Sequence, residues 1–256
     1  MFSSRSTSTA RSCARVELTR TGSTRYATRL QPPCASADAV PVQRAFTHAF
    51  EEVYDLHDLS IDVITHHGLT DPLVAQRTLV HAGVDAADAE ARWPEVAASM
   101  LRYAERHTAD AGHGLEVLPG VAALLKALHE RGAVVGLVTG NLTPIAWAKM
   151  EALSLAGLFT APRFGGFGTD HADRGELVRI AGQRARALAP GIRSAWHVGD
   201  TPADVRAAAF GSARALGVCT GVFTQEELLA ANSSATVLPD LSNVEGVMSL
   251  FESELQ

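Results

Sequence analysis

Residues 133–141 read Ala-Val-Val-Gly-Leu-Val-Thr-Gly-Asn, and residues 194–204 read Ser-Ala-Trp-His-Val-Gly-Asp-Thr-Pro-Ala-Asp. The first begins as an unbroken apolar run of strand length, without the alternation of a half-exposed strand. The second begins as a mostly apolar run of similar length. Runs of this kind suit strands covered on both faces, as in a parallel sheet. Each run then stops at small and polar residues.

The text around them alternates between helix and strand signals. PGVAALLKALHERG (119–132) reads as a helix stopped by Gly132. Thr143-Pro144 opens a helix reaching about Leu153, and a further helix spans about 173–188. A helix follows the second run. Then come ARALGVCTG (213–221) as a strand region, a helix at Gln225–Ala231, ATVLP (235–239) as a short strand, and a final helix. This alternation predicts an α/β fold, a three-layer parallel sheet with helices on both faces.

The chain before it carries no strand signal between 43 and 113. Phe46, Phe50 and Tyr54 share one helical face. Asp71-Pro72 looks like an N-cap and first-turn proline, opening a helix through about Val80. A long pattern at 86–107 puts Trp93, Val96, Met100 and Tyr103 on one side. Residues 36–113 are therefore expected to form a helical unit, and 114–256 the α/β domain. The sequence contains no internal repeat.

Composition narrows the function classes. The chain has 256 residues, is 46% hydrophobic and carries a net charge of −6. No run of about 18 apolar residues is available to span a bilayer. Cys13, Cys34 and Cys219 are odd in number and form no Cys-x-x-Cys, which excludes a disulfide framework and a zinc ribbon. Acidity argues against nucleic acid as the partner. The charge is unevenly spread. Residues 1–35 hold six arginines, one acid (Glu17) and no lysine, so they carry about +5 while the rest carries about −11. That segment reads as disordered, as a transit peptide or as out-of-frame sequence. The protein is expected in the cytoplasm, or in an organelle if 1–35 is a transit peptide.

Ligands of open α/β sheets bind beyond the carboxyl ends of the strands. At the first such end, Thr139-Gly140-Asn141 offers a hydroxyl and a glycine where backbone N–H groups can approach a phosphate closely. An ordinary strand-to-helix turn would use the same residues. At the second, Asp200 stands at the strand end, where a hard cation such as Mg²⁺ could be held. Thr201, Pro202 and Asp204 also fit a capping box, so Asp204 has a structural role available. Between them lies Gly-Thr-Asp-His-Ala-Asp-Arg (168–174). Asp170 and Asp173 are candidate metal ligands or helix caps. Arg174 could neutralise a phosphoryl group or pair with a carboxylate, and His171 could serve acid–base chemistry or simply lie at the surface.

A strand ending in Thr-Gly-Asn, a basic residue about 35 positions on, and a strand ending in Gly-Asp-Thr-Pro-Ala-Asp together resemble the haloacid dehalogenase superfamily. The similarity is closest to its phosphoglycolate-phosphatase-like branch and covers roughly 45–245. The resemblance implies an inserted all-helical cap and Mg²⁺-dependent hydrolysis of a small phosphomonoester through an aspartyl-phosphate. It implies phosphate binding by Thr139, Gly140 and Asn141, with Arg174 as the basic catalytic residue and Asp200 and Asp204 at Mg²⁺. Arg174 departs from the lysine usual at that place. His67-Gly68-Leu69-Thr70-Asp71 looks like the cap's substrate-facing segment, with His66 beside it.

The family's first motif, Asp-x-Asp-Gly-Thr, supplies the nucleophile and the acid–base carboxylate, and this chain does not contain it. Asp38 lacks a preceding apolar strand and a partner acid. The first strand is therefore expected to be absent or displaced. Residues 6–13, Ser-Thr-Ser-Thr-Ala-Arg-Ser-Cys, suggest a cause. If the first two bases of each codon become the last two of shifted codons, Ile-Asp-Leu-Asp-Gly-Thr-Leu-Leu is an allowed reading. The alternative from another functional class is an inactive homologue that binds a phosphorylated ligand or a protein.

Overall fold

The two apolar runs become β2 (Val134–Thr139) and β4 (Ile192–Gly199) of a six-stranded sheet. The structure, a computed structural model, describes residues 16–21 and 40–252. The sheet order is β3-β2-β1-β4-β5-β6, with β1 at Val16–Thr21, β3 at Gly165–Phe167, β5 at Arg214–Val218 and β6 at Thr236–Leu238. Helices α5 (Val121–Glu130), α6 (Thr143–Ala152), α7 (Arg174–Leu188), α8 (Pro202–Ala207), α9 (Gln225–Ala231) and α10 (Val244–Glu252) connect and cover the strands. The pairs β2–β3, β4–β5 and β5–β6 are parallel, as crossovers through helices require.

The centre of the sheet departs from the expected all-parallel arrangement. β1 runs antiparallel to both β2 and β4, so the sheet is mixed. Its register sets Val16 opposite Val198 and Thr21 opposite Ile192. Residues 1–35 carry no sustained period, yet Val-Glu-Leu-Thr-Arg-Thr is rich in β-branched residues. β2 and β4 each turn an edge of N–H and C=O groups toward one gap, and a short extended segment can complete both ladders in either direction. Tertiary context, not local pattern, makes this strand. The remainder of 1–35 lies outside the described residues, as does Asp38.

Alternate residues of β2 serve opposite faces. Val135 and Leu137 join Leu124, Leu125, Leu128, Trp196, Leu216 and Phe251 in one core layer, whereas Val138 meets Leu177 and Ala181 of α7. β3 escaped the sequence pattern because it has three residues, two of them glycine. A methyl group on Gly165 would overlap the Leu137 carbonyl, so the residue that hides the strand from pattern reading also lets it pack.

Before the sheet come α1 (Val40–Tyr54), α2 (Asp71–His81), α3 (Ala86–Ala91) and α4 (Trp93–Arg106). They enclose a cluster of their own, with Phe46, Phe50, Leu79, Val96 and Met100, joined by Leu142 and Ile145 of the α6 region. The single long pattern at 86–107 is two helices. Asp85 caps α3 by accepting the N–H groups of Ala87 and Asp88. Pro94 then has no N–H with which to continue α3, and it lies in the first turn of α4 instead. Among the described residues no helix is long and apolar enough to cross a membrane.

Candidate active site

Because β2 and β4 both oppose β1, they run in the same direction, and Thr139-Gly140-Asn141 and Asp200 emerge at one edge of the sheet. β1 begins at that edge, with Val16 opposite Val198, and its carboxyl end points away from it. The N-terminus of α7 brings Arg174 to the same place, where its Nη1 lies 3.6 Å from Asp204 Oδ1. Both side chains are buried.

On the β4 side, Thr201 and Asp204 form the capping box of α8. Asp204 Oδ2 accepts the Thr201 N–H at 3.0 Å and its hydroxyl at 2.6 Å. The other oxygen, Oδ1, faces Arg174 and also His197 Nε2 at 3.8 Å. Asp204 is therefore both a helix cap and part of a buried charged cluster. Asp200 is buried at the turn after β4. Its Oδ2 fills the space that a side chain at residue 221 would need, so only glycine at 221 lets the carboxylate sit there.

Mg²⁺ is held by one or two carboxylates together with water and phosphate oxygens. Asp200, at the turn after β4 with Gly221 beside it, fits that donor chemistry. Among the described residues no three His, Cys, Asp or Glu side chains are grouped as a metal cage. A cation here would need ligands from water and a substrate.

On the β2 side, Thr139 is buried and its hydroxyl accepts the Asn141 N–H at 3.2 Å. The sequence suggests Thr143 as the cap of α6, but the N-cap is Leu142, which has no capping side chain. Thr143 instead directs its N–H and its hydroxyl to Thr169 Oγ1. The missing cap comes from Asp71, whose Oδ2 accepts the Leu142 N–H at 2.9 Å and whose Oδ1 accepts Asn141 Nδ2 at 2.9 Å. Burial pushes the Asp71 carboxyl up to about 6. The bonds from Asn141 and Leu142 and the charge of Lys149 act against that shift.

Residues 68–70 lie between the two strand ends. A methyl on Gly140 would sit 2.6 Å from the Leu69 oxygen, and one on Gly68 would sit 3.1 Å from Thr201 Oγ1. Arg174 donates Nε–H to the Gly68 carbonyl at 2.8 Å and Nη2–H to that of Leu69 at 3.2 Å. The Thr70 hydroxyl donates to the Ala172 carbonyl at 2.7 Å. Thr70 and Asp71 are thus turned toward core loops. His66 and His67 remain partly exposed, their rings 5.4 Å apart, and burial lowers the pKa of His67.

In the intervening motif, Asp170, His171 and Asp173 each make local structural bonds. Asp173 is the N-cap of α7. Asp170 receives the Phe167 N–H and two bonds from Arg184. His171 Nδ1 accepts the Asp173 N–H at 2.9 Å. Pattern reading missed Asp71 as the cap of α6, Lys149 (2.8 Å from Asn141 Oδ1) and His197. A hint for Asp71 existed in the apolar Leu142 before Thr-Pro, since a helix start without a capping residue takes its acceptor from elsewhere.

The family model for haloacid dehalogenase-like hydrolases matches residues 42–209, and a second, HAD-hydrolase-like, matches 176–244. No curated protein matches the chain significantly. Solved structures share the fold. A predicted phosphatase from Clostridium acetobutylicum is 18% identical with a TM-score of 0.56, covering 89% of this chain and 95% of its own. A predicted phosphoglycolate phosphatase from Haemophilus somnus is 16% identical with a TM-score of 0.54, covering 84% and 94%. A hydrolase from Pseudomonas syringae is 17% identical with a TM-score of 0.56, covering 83% and 92%.

Proposed function

The chain belongs to the haloacid dehalogenase-like hydrolases, and on that premise we propose that its site binds a small phosphomonoester together with Mg²⁺ for hydrolysis. The observation that carries this is the meeting of Thr139-Gly140-Asn141, Arg174 and Asp200 at one edge of the sheet. The Thr139 hydroxyl and the Gly140–Asn141 backbone would receive phosphoryl oxygens. Arg174 would place positive charge beside them. Asp200 would hold Mg²⁺, with Asp204 fixing Arg174 and the turn after β4. The bound cation would offset charge on the transferring phosphoryl group. The helical unit, 36–113, would act as the cap that excludes water and selects the substrate.

Hydrolysis through an aspartyl-phosphate requires a nucleophilic carboxylate at the end of the central strand. That strand, Val16–Thr21, has Glu17 as its one acid and runs away from the site. This favours a second reading, in which the chain binds a phosphorylated ligand without turning it over.

One assay separates the two. Release of phosphate from a generic phosphoester is measured with and without Mg²⁺, for the natural chain and for Asp200→Asn. Mg²⁺-dependent turnover that is lost in the variant supports hydrolysis. Binding of the ester without turnover supports the second reading, and absence of both binding and turnover rejects both readings.

A further inference from the structure

The segment 68–71 joins the helical unit to the loops at the sheet edge. Each of its residues makes a polar bond to a core loop or to the start of α7. The Gly68 and Leu69 carbonyls accept from Arg174, and the Thr70 hydroxyl donates to Ala172. The Asp71 N–H donates to the Gly140 carbonyl at 2.8 Å.

The Asp71 side chain adds something the backbone bonds do not. It reaches across to a loop 70 residues away and supplies the acceptor that the start of α6 lacks. It also fixes the Asn141 amide. Nδ2 of that amide points to Asp71, while Oδ1 accepts from Lys149 Nζ at 2.8 Å. The amide is therefore held at both ends, and reversing it would set donor against donor. The two segments pass closely: a side chain on Gly140 would overlap Leu69 and Thr70, and one on Gly168 would overlap the Gly140 carbonyl.

We infer that Asp71 is a positioning residue that couples seating of the helical unit to the conformation of the Gly140–Leu142 loop. Unseating α2 removes the cap of α6 and frees the Asn141 amide in one event. Disturbing the loop loosens α2 in turn. The coupling itself is independent of the ligand. Its consequence for anion binding rests on the phosphate role proposed above for that loop.

The test is amide hydrogen exchange on the full chain for the natural protein, Asp71→Ala and Thr70→Val. Asp71→Ala is expected to raise exchange at least tenfold at residues 142–146 and at 68–75 together, with β4 and β5 unchanged. Thr70→Val touches no residue of α6, yet coupling requires that it too raises exchange at 142–146. Exchange raised by Asp71→Ala only at Leu142, or an α6 indifferent to Thr70→Val, overturns the inference. If Asp71→Ala fails to fold, the response to Thr70→Val decides. Calorimetric titration with inorganic phosphate examines the consequence. At least tenfold weaker binding by Asp71→Ala is expected, and equal affinity overturns the link to anion binding. A natural chain that does not bind phosphate counts against the proposed function, while the exchange data still decide the coupling.

Discussion

Replacing Asp71 by Asn should stabilise the protein, relative to the natural chain, progressively as pH rises from 4 to 7. The Asp71 carboxyl is buried, and burial lifts it from an ordinary 3.8 to about 6. The folded chain therefore holds this proton more tightly than the unfolded chain. The associated stability is complete below about pH 3.8, declines between 3.8 and 6, and is gone above about 6. A rise of about 2 pH units corresponds to about 3 kcal/mol. Asn cannot ionise and escapes that decline. It does forfeit the acceptor facing Asn141 Nδ2, at a cost of about 1 kcal/mol at every pH. The variant should thus be the less stable protein near pH 4 and the more stable one by about 2 kcal/mol at pH 7. The difference in Tm should swing by about 6–12 °C across that window for a chain of this size. Circular-dichroism melts of both proteins at half-unit pH steps measure it. Parallel Tm–pH curves would refute the reasoning. A swing of opposite sign would show that the bonds from Asn141 and Leu142, with Lys149, outweigh burial.

Gly168→Ala should destabilise by about 3 kcal/mol, because the added methyl would overlap the Gly140 carbonyl and meet backbone that cannot rotate aside; a melt within 2 °C or so of the natural chain contradicts this packing. Asp173→Ala removes the side-chain acceptor for the Glu176 N–H at the start of α7 and should lower stability by about 1 kcal/mol, read by urea unfolding. Asp200→Asn should abolish any Mg²⁺-induced rise in Tm while preserving the circular-dichroism spectrum, since the amide has the size of the carboxylate and the N-cap of α8 is Thr201. Sequencing the 5′ region of the transcript should reveal Asp-x-Asp-Gly-Thr in another frame over residues 6–13, and a transcript without it in any frame rejects the frame-shift explanation.

Where a local rule was sufficient, the structure follows the sequence closely. The α9 boundaries, Gln225–Ala231, coincide with the predicted span because Thr224 and Glu227 form a capping box within four residues. Thr201 and Asp204 do the same for α8. Gly132 ends α5 with φ near +65°, a conformation that glycine adopts freely. Misreadings arose where a residue's partner is remote. Asp71 followed by proline has the look of a cap for its own helix. Its carboxylate caps α6 instead, while Thr70 occupies the N-cap of α2 without a side-chain bond to that helix.

The sequence by itself determined the covered strands β2 and β4, the helices between them, and the polar residues at their ends. Periodicity, burial and capping act over a few residues, so they are written locally. Tertiary structure decided which segment fills the centre of the sheet and in which direction it runs, because backbone ladders accept either. It also decided that the carboxylate at Leu142 comes from the helical unit. Strand pairing and trans-capping join residues far apart in the chain, and no local pattern encodes them.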